Sequence, residues 1–62
     1  MSNDELKEAV RLKYPVTCNG KIYECIEEIV MYYRNGWHVS AVLKEKGVNA
    51  VYRVKSEEVQ KA

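Results

Sequence analysis

The chain changes its hydrophobic rhythm once, near Tyr14. Before that point apolar residues recur at helical spacing: Leu6, Ala9 and Val10 share one face of a segment otherwise built from charged residues. Ser2 and Glu5 have capping-box spacing. Asp4 and Glu5 lie at the positive end of the helix dipole, and Arg11 and Lys13 at its negative end. The pattern predicts a helix over 2–13, ended by the Tyr14-Pro15 step, which forces an extended backbone.

After Tyr14 the residues turn to Val, Ile and Tyr, punctuated by Asn19-Gly20, Asn35-Gly36 and Lys44-Glu45-Lys46-Gly47. The two Asn-Gly steps are strong hairpin signals, because a type I′ turn needs positive φ at both central residues. Four strands are predicted, over 14–18, 21–34, 37–43 and 48–55, with a short terminal turn at 56–59. A two-residue loop at Asn35-Gly36 pairs Arg34 with Trp37, Tyr32 with Val39, Val30 with Ala41 and Tyr33 with His38. In the next hairpin a four-residue loop pairs Leu43 with Val48, Ala41 with Ala50, Val39 with Tyr52 and Trp37 with Val54, keeping one face apolar.

The first hairpin conflicts with this scheme. Asn19-Gly20 pairs Val16 with Tyr23 and Tyr14 with Cys25, so odd-numbered residues face inward, whereas Val30 and Tyr32 are even-numbered. A β-bulge or sharp bend near Glu27-Glu28 resolves the conflict. A rival reading places Ile22, Ile26, Ile29, Val30 and Tyr33 on one face of a helix capped by Gly36. The β-branched and aromatic content favours strand.

The chain has 62 residues, one domain's worth, and a chain this short supports only a small core. The expected fold class is α+β or mostly β: an N-terminal helix, then a four-stranded antiparallel meander curled toward a small barrel. Ten Lys and Arg against nine Asp and Glu leave a net charge of +1, which provides no general pull toward nucleic acid or anionic membrane. No apolar run approaches the roughly 20 residues of a membrane-spanning helix, and the acidic start is unlike a signal peptide. A cytoplasmic location is expected. Cys18 and Cys25 are too few for a disulfide framework. With His38 they make one ligand fewer than a closed zinc site needs, so no metal and no cofactor is expected. The chain has a single histidine and no phosphate loop, and Glu24, Glu27 and Glu28 read as a solvated edge, so no enzyme activity is expected.

The run Asn19-Gly20-Lys21-Ile22-Tyr23, then Ile29, Asn35-Gly36-Trp37, Ala41-Val42-Leu43 and Ser56-Glu57-Glu58-Val59 resembles small-barrel (SH3-like) proteins encoded by Gram-positive bacteria and their prophages. The resemblance rests on turns and core positions over residues 14–59. It implies the barrel fold and no particular activity.

The expected pairing leaves a second apolar face on the central hairpin. Ile29 falls opposite Val42, Met31 opposite Ser40, and Ser40 beside Val51, with Tyr33 and His38 extending the surface. A lone antiparallel sheet keeps one face wet. The cover is either the N-terminal helix or a partner: another protein or a second copy of the chain. Ile29, Met31, Tyr33, Arg34, Trp37, His38, Val42, Val51 and Arg53 form the expected interaction surface of a non-catalytic binding module, with Arg34 making a cation–π pair with Trp37. The alternative is single-stranded nucleic acid, stacked and neutralised by Tyr33, Arg34, Trp37, His38 and Arg53.

Overall fold

The computed structural model describes residues 1–62. Helix α1 spans Asn3–Leu12. Ser2 caps it as the spacing predicts, with both halves of the capping box formed: the Glu5 N–H donates to Ser2 Oγ, and the Ser2 N–H donates to the Glu5 carboxylate. Lys13 closes the helix in the left-handed conformation. Six strands follow: β1 Val16–Cys18, β2 Lys21–Tyr23, β3 Cys25–Tyr33, β4 Trp37–Lys44, β5 Val51–Lys55 and β6 Val59–Lys61, with a 3-10 turn at Ser56–Glu58 before the last. They form two antiparallel three-stranded sheets, ordered β2-β1-β6 and β3-β4-β5. The α+β, mostly-β class is therefore correct, and residues 22–34 are extended rather than helical.

The expected single strand over 21–34 is instead two strands. The chain bends at Glu24, between β2 and β3, and so passes from one sheet into the other. The Asn19-Gly20 hairpin holds the predicted register, Val16 opposite Tyr23, but Tyr14 does not reach Cys25 because the bend comes first. A register shift between Ile26 and Glu28 puts a bulge where one was expected, but not for the expected reason: Val30 and Tyr32 face away from the core, and the inward parity changes from even Ile26 to odd Ile29. It leaves Glu27 as the extra residue and lets both Ile26 and Ile29 point toward the core.

The other two hairpins close differently from expectation. Asn35 and Gly36 both have positive φ, but Tyr33 pairs with Trp37, so Arg34 joins the loop and its N–H donates to the Gly36 carbonyl. The pairing moves by one residue relative to the two-residue loop. The two-residue register would set Glu28 beside Leu43, in the buried row, where an unpaired carboxylate is costly. The observed register puts Glu28 opposite Val42, exposed on the other face.

Between β4 and β5 the loop runs over 45–50, and Ala41 pairs with Val54 and Leu43 with Tyr52. The shift is by an even number, so the apolar rows still share a face. Glu45 pins this loop: its N–H donates to the Ala50 carbonyl, and its carboxylate accepts from Lys21 at 2.7 Å and from the Tyr52 hydroxyl at 3.1 Å. Those two partners hold the Glu45 carboxyl below its ordinary range, Lys21 first; Lys21 in turn is held above its own.

The core lies where α1 and the two sheets meet. Leu6, Ala9, Val16, Ile26, Ala41, Leu43 and Val59 are fully buried, with Cys18 beside them. Val59 comes from β6, where a strand was not expected; it pairs with Cys18, and its carbonyl accepts from the amino terminus of Met1. No helix is long and apolar enough to cross a membrane.

Candidate protein-interaction surface

The β3–β4 hairpin carries most of the residues singled out from the sequence, and its register sorts them onto two faces. Alternation places Ile29, Met31 and Tyr33 on the same side as Trp37, Val39, Ala41 and Leu43. Ile29 therefore meets Ala41 rather than Val42, Met31 meets Val39 rather than Ser40, and Tyr33 meets Trp37 rather than His38. This is the face that α1 covers. Leu6 and Ala9 pack into it, and Asn3, Leu6 and Lys7 line a small cleft of about 70 Å³ against Ile29, Met31 and Val39.

The helix covers only the root of the hairpin. Ile29 is half-buried, but past it Met31 is 60% exposed, Tyr33 69% and Trp37 71%. Tyr33 and Trp37 meet edge to face at 5.6 Å between centroids. The tip therefore presents two aromatic rings and a thioether in one row, continuous with the core behind them. Arg34, expected opposite Trp37, sits in the loop, and Trp37 has Tyr33 as its aromatic partner.

The opposite face holds His38, Val42, Val51 and Arg53, with Glu28, Val30, Tyr32, Ser40, Lys44 and Lys55 around them. Val51 pairs with Lys44, away from Ser40. Tyr32 stacks on His38 at 5.2 Å and 20°, and the Arg53 guanidinium lies 5.1 Å from the Tyr32 ring. His38 Nε2 is 2.8 Å from the Arg34 carbonyl oxygen, an acceptor only, so the ring donates from Nε2 and ties strand to loop. A groove of about 420 Å³ runs past the end of β5, where Trp37 and Val39 of the α1-covered face join Tyr32, Arg34 and His38 in lining it with Lys55, Ser56 and Glu57.

The nine expected residues thus do not make one surface. Ile29, Met31, Tyr33 and Trp37 stay together; His38, Val42, Val51 and Arg53 lie behind them, with Arg34 at the turn. Tyr32 and Lys55 were missed. A two-residue loop turns Tyr32 toward the interior, and one residue of register is enough to hide it.

The two thiols lie in the protein's interior and His38 at the hairpin tip, so the three do not come together. Burial pushes both thiols above their ordinary pKa, reinforced by Glu58 at Cys18 and by Glu27 at Cys25. Comparison with protein-family models, with curated proteins and with solved structures gives no match.

Proposed function

We propose that this chain is a non-catalytic protein-interaction module that docks through the tip of its β3–β4 hairpin. The observation that carries the reading is the row Met31, Tyr33 and Trp37, more than half exposed on the very face that α1 covers further in. Large exposed aromatics in a contiguous patch are the usual anchors of protein interfaces. The strand order supports a small SH3-like barrel as the scaffold: β2 and β3 read as one long bent strand serving two sheets, with a 3-10 turn leading into the closing strand β6. A cytoplasmic accessory protein of a prophage or other mobile element fits this design.

The test is a photo-cross-linking residue placed at Tyr33 or Trp37 in the producing cell, with Ile22 as control. Ile22 is also well exposed but lies on the other sheet. A discrete protein adduct from the two tip positions and none from Ile22 is expected. No adduct from either tip position, or equal adducts from all three, overturns the reading.

A second reading rests on a separate observation. The Tyr32–His38 stack with Arg53 against it, flanked by Arg34 and Lys55, combines π-faces with cations that have no ion-pair partner in the chain. Single-stranded nucleic acid fits such a face. Binding to short oligonucleotides that weakens with salt supports it, and its absence at low salt excludes it.

A further inference from the structure

Strand β3 is an edge strand. Its inner side pairs with β4, while no strand lies along its outer side. The bulge at Glu27 spoils the first part of this edge for pairing, but Ile29-Val30-Met31-Tyr32-Tyr33 continues as five residues with no charge, proline or glycine. Natural sheets usually blunt such an edge with a charge or a bulge. Here the charges stand only at the two ends, Glu28 before the run and Arg34 after it, opposite in sign. Neither takes part in the chain's two ion pairs, Lys21–Glu45 and Lys44–Glu24.

We infer that the occupant of this edge is a second copy of the chain, paired β3 to β3 antiparallel about a two-fold axis through Met31. The inference rests on the reading of the hairpin as an interaction surface and places a second copy along its edge, beside the tip. A two-fold axis perpendicular to the sheet keeps each residue opposite one of the same face, so paired numbers must sum to an even value. Of the registers available, centring on Val30 sets Glu28 against Tyr32 of the second copy, and centring on Tyr32 leaves Glu28 beyond the partner's Arg34. Centring on Met31 brings Glu28 level with Arg34 of the second copy, the loop residue that directly follows its strand, and Arg34 level with Glu28 of the second copy. Ile29 then faces Tyr33 and Val30 faces Tyr32, so every pair across the axis is apolar or opposite in charge.

The product is one continuous six-stranded sheet. Because the axis is perpendicular to it, both α1-covered faces lie on the same side. Met31, Tyr33 and Trp37 of the two copies then merge into one larger patch, which brings the hairpin surface closer to the size of a stable docking site. The low net charge, +1, offers little repulsion to association. A contact of this length falls short of the about 800 Å² per partner of a standard interface, so the dimer is concentration-dependent.

Sedimentation of the full chain across dilutions from about 1 mM to about 1 µM tests the inference. A monomer–dimer equilibrium is expected. Glu28→Arg and Arg34→Glu should each weaken it by about tenfold, since each dimer contains the pair twice. The double reversal Glu28→Arg/Arg34→Glu should restore it. Met31→Arg sets two cations face to face and should remove the dimer while the monomer stays folded, Met31 being exposed. Trp37→Ser should leave the dimer constant within about twofold, because Trp37 lies on β4, off the pairing edge.

A strict monomer at every concentration overturns the pairing, as does a dimer that ignores the charge reversals or is not rescued by the double variant. A dimer that needs Trp37 but not Glu28 and Arg34 overturns the strand pairing and leaves the docking tip standing. Rescued dimerisation with no adduct from Trp37, and none from Tyr33 except to a second copy, does the reverse.

Discussion

The two ends of the β3–β4 hairpin are built from similar residues and have opposite fates. At the root, Ile26 and Leu43 pair across the strands and are fully buried beneath α1 and the second sheet. At the tip, Tyr33 and Trp37 pair across the same strands and stand in solvent. The tip aromatics carry a polar atom that the aliphatic root lacks, but all four side chains are large and apolar enough to bury. The length of the helical cover separates them: Asn3, Leu6 and Lys7 reach as far as Met31 and Val39, and past them Tyr33 and Trp37 stand more than half exposed. An amphipathic helix of ten residues spans about 15 Å at 1.5 Å per residue, whereas a strand of nine spans about 30 Å. A sheet strand outruns a short helix, and the surplus is what the molecule can offer to a partner.

The sharpest way to break this contrast is at the bulge. Deleting Glu27 and Glu28 together makes Ile26 and Ile29 adjacent in β3, so the two can no longer both face inward. Loss of the native fold is expected, read as collapse of amide chemical-shift dispersion. Next comes the root itself. Ile26→Ala or Leu43→Ala should cost about 2–5 kcal/mol in a denaturant titration, a large share of what so small a domain has. Ser2→Ala removes one half of the capping box and should cost about 1 kcal/mol by the same measurement.

Smaller still is the clasp between Lys21, Glu45 and Tyr52, which ties the β4–β5 loop to β2. Glu45, held below its ordinary pKa, adds stability that is present above its unfolded value and fades as pH falls through the folded one. Lys21, held above its own, adds stability that is full below its unfolded value and fades as pH rises through the folded one. Glu45→Gln should therefore flatten both the acid and the alkaline limb of a melting-temperature profile. Lys21 is exposed and Glu45 only partly covered, so solvent screens the pair and the change is slight. At the tip, Tyr33→Ser and Trp37→Ser should alter stability by less than about 0.5 kcal/mol. An effect as large as that of Leu43→Ala would erase the distinction between root and tip.

Much of the fold was legible where a local rule acts alone. The Ser2–Glu5 box, the stop before Pro15 and the register of the Asn19-Gly20 hairpin follow from neighbouring residues, whereas the bulge lies where expected although the parity conflict that pointed to it vanishes once Val30 and Tyr32 face outward. The misreadings arose where two arrangements satisfy the same rule. Asn35-Gly36 supplies positive φ equally well to a loop that includes Arg34, and only tertiary burial, which keeps Glu28 out of the core row, chooses between them. Strand β6 buries a single residue, Val59, too little pattern to announce a strand. The candidate surface inherited the register error. Its residues were found, but the one-residue shift moved His38, Val42 and Arg53 to the back of the sheet and left Tyr32 unrecognised there.

Trp37 is the only tryptophan in the chain and sits at the tip, so its fluorescence reports on the central claim without ambiguity. In dilute native protein, emission close to that of free indole in water and ready quenching by acrylamide are expected, with a blue shift and protection only when a partner protein is added. A blue-shifted, shielded Trp37 in the isolated monomer would mean that the chain covers its own hairpin tip and has no such surface to offer.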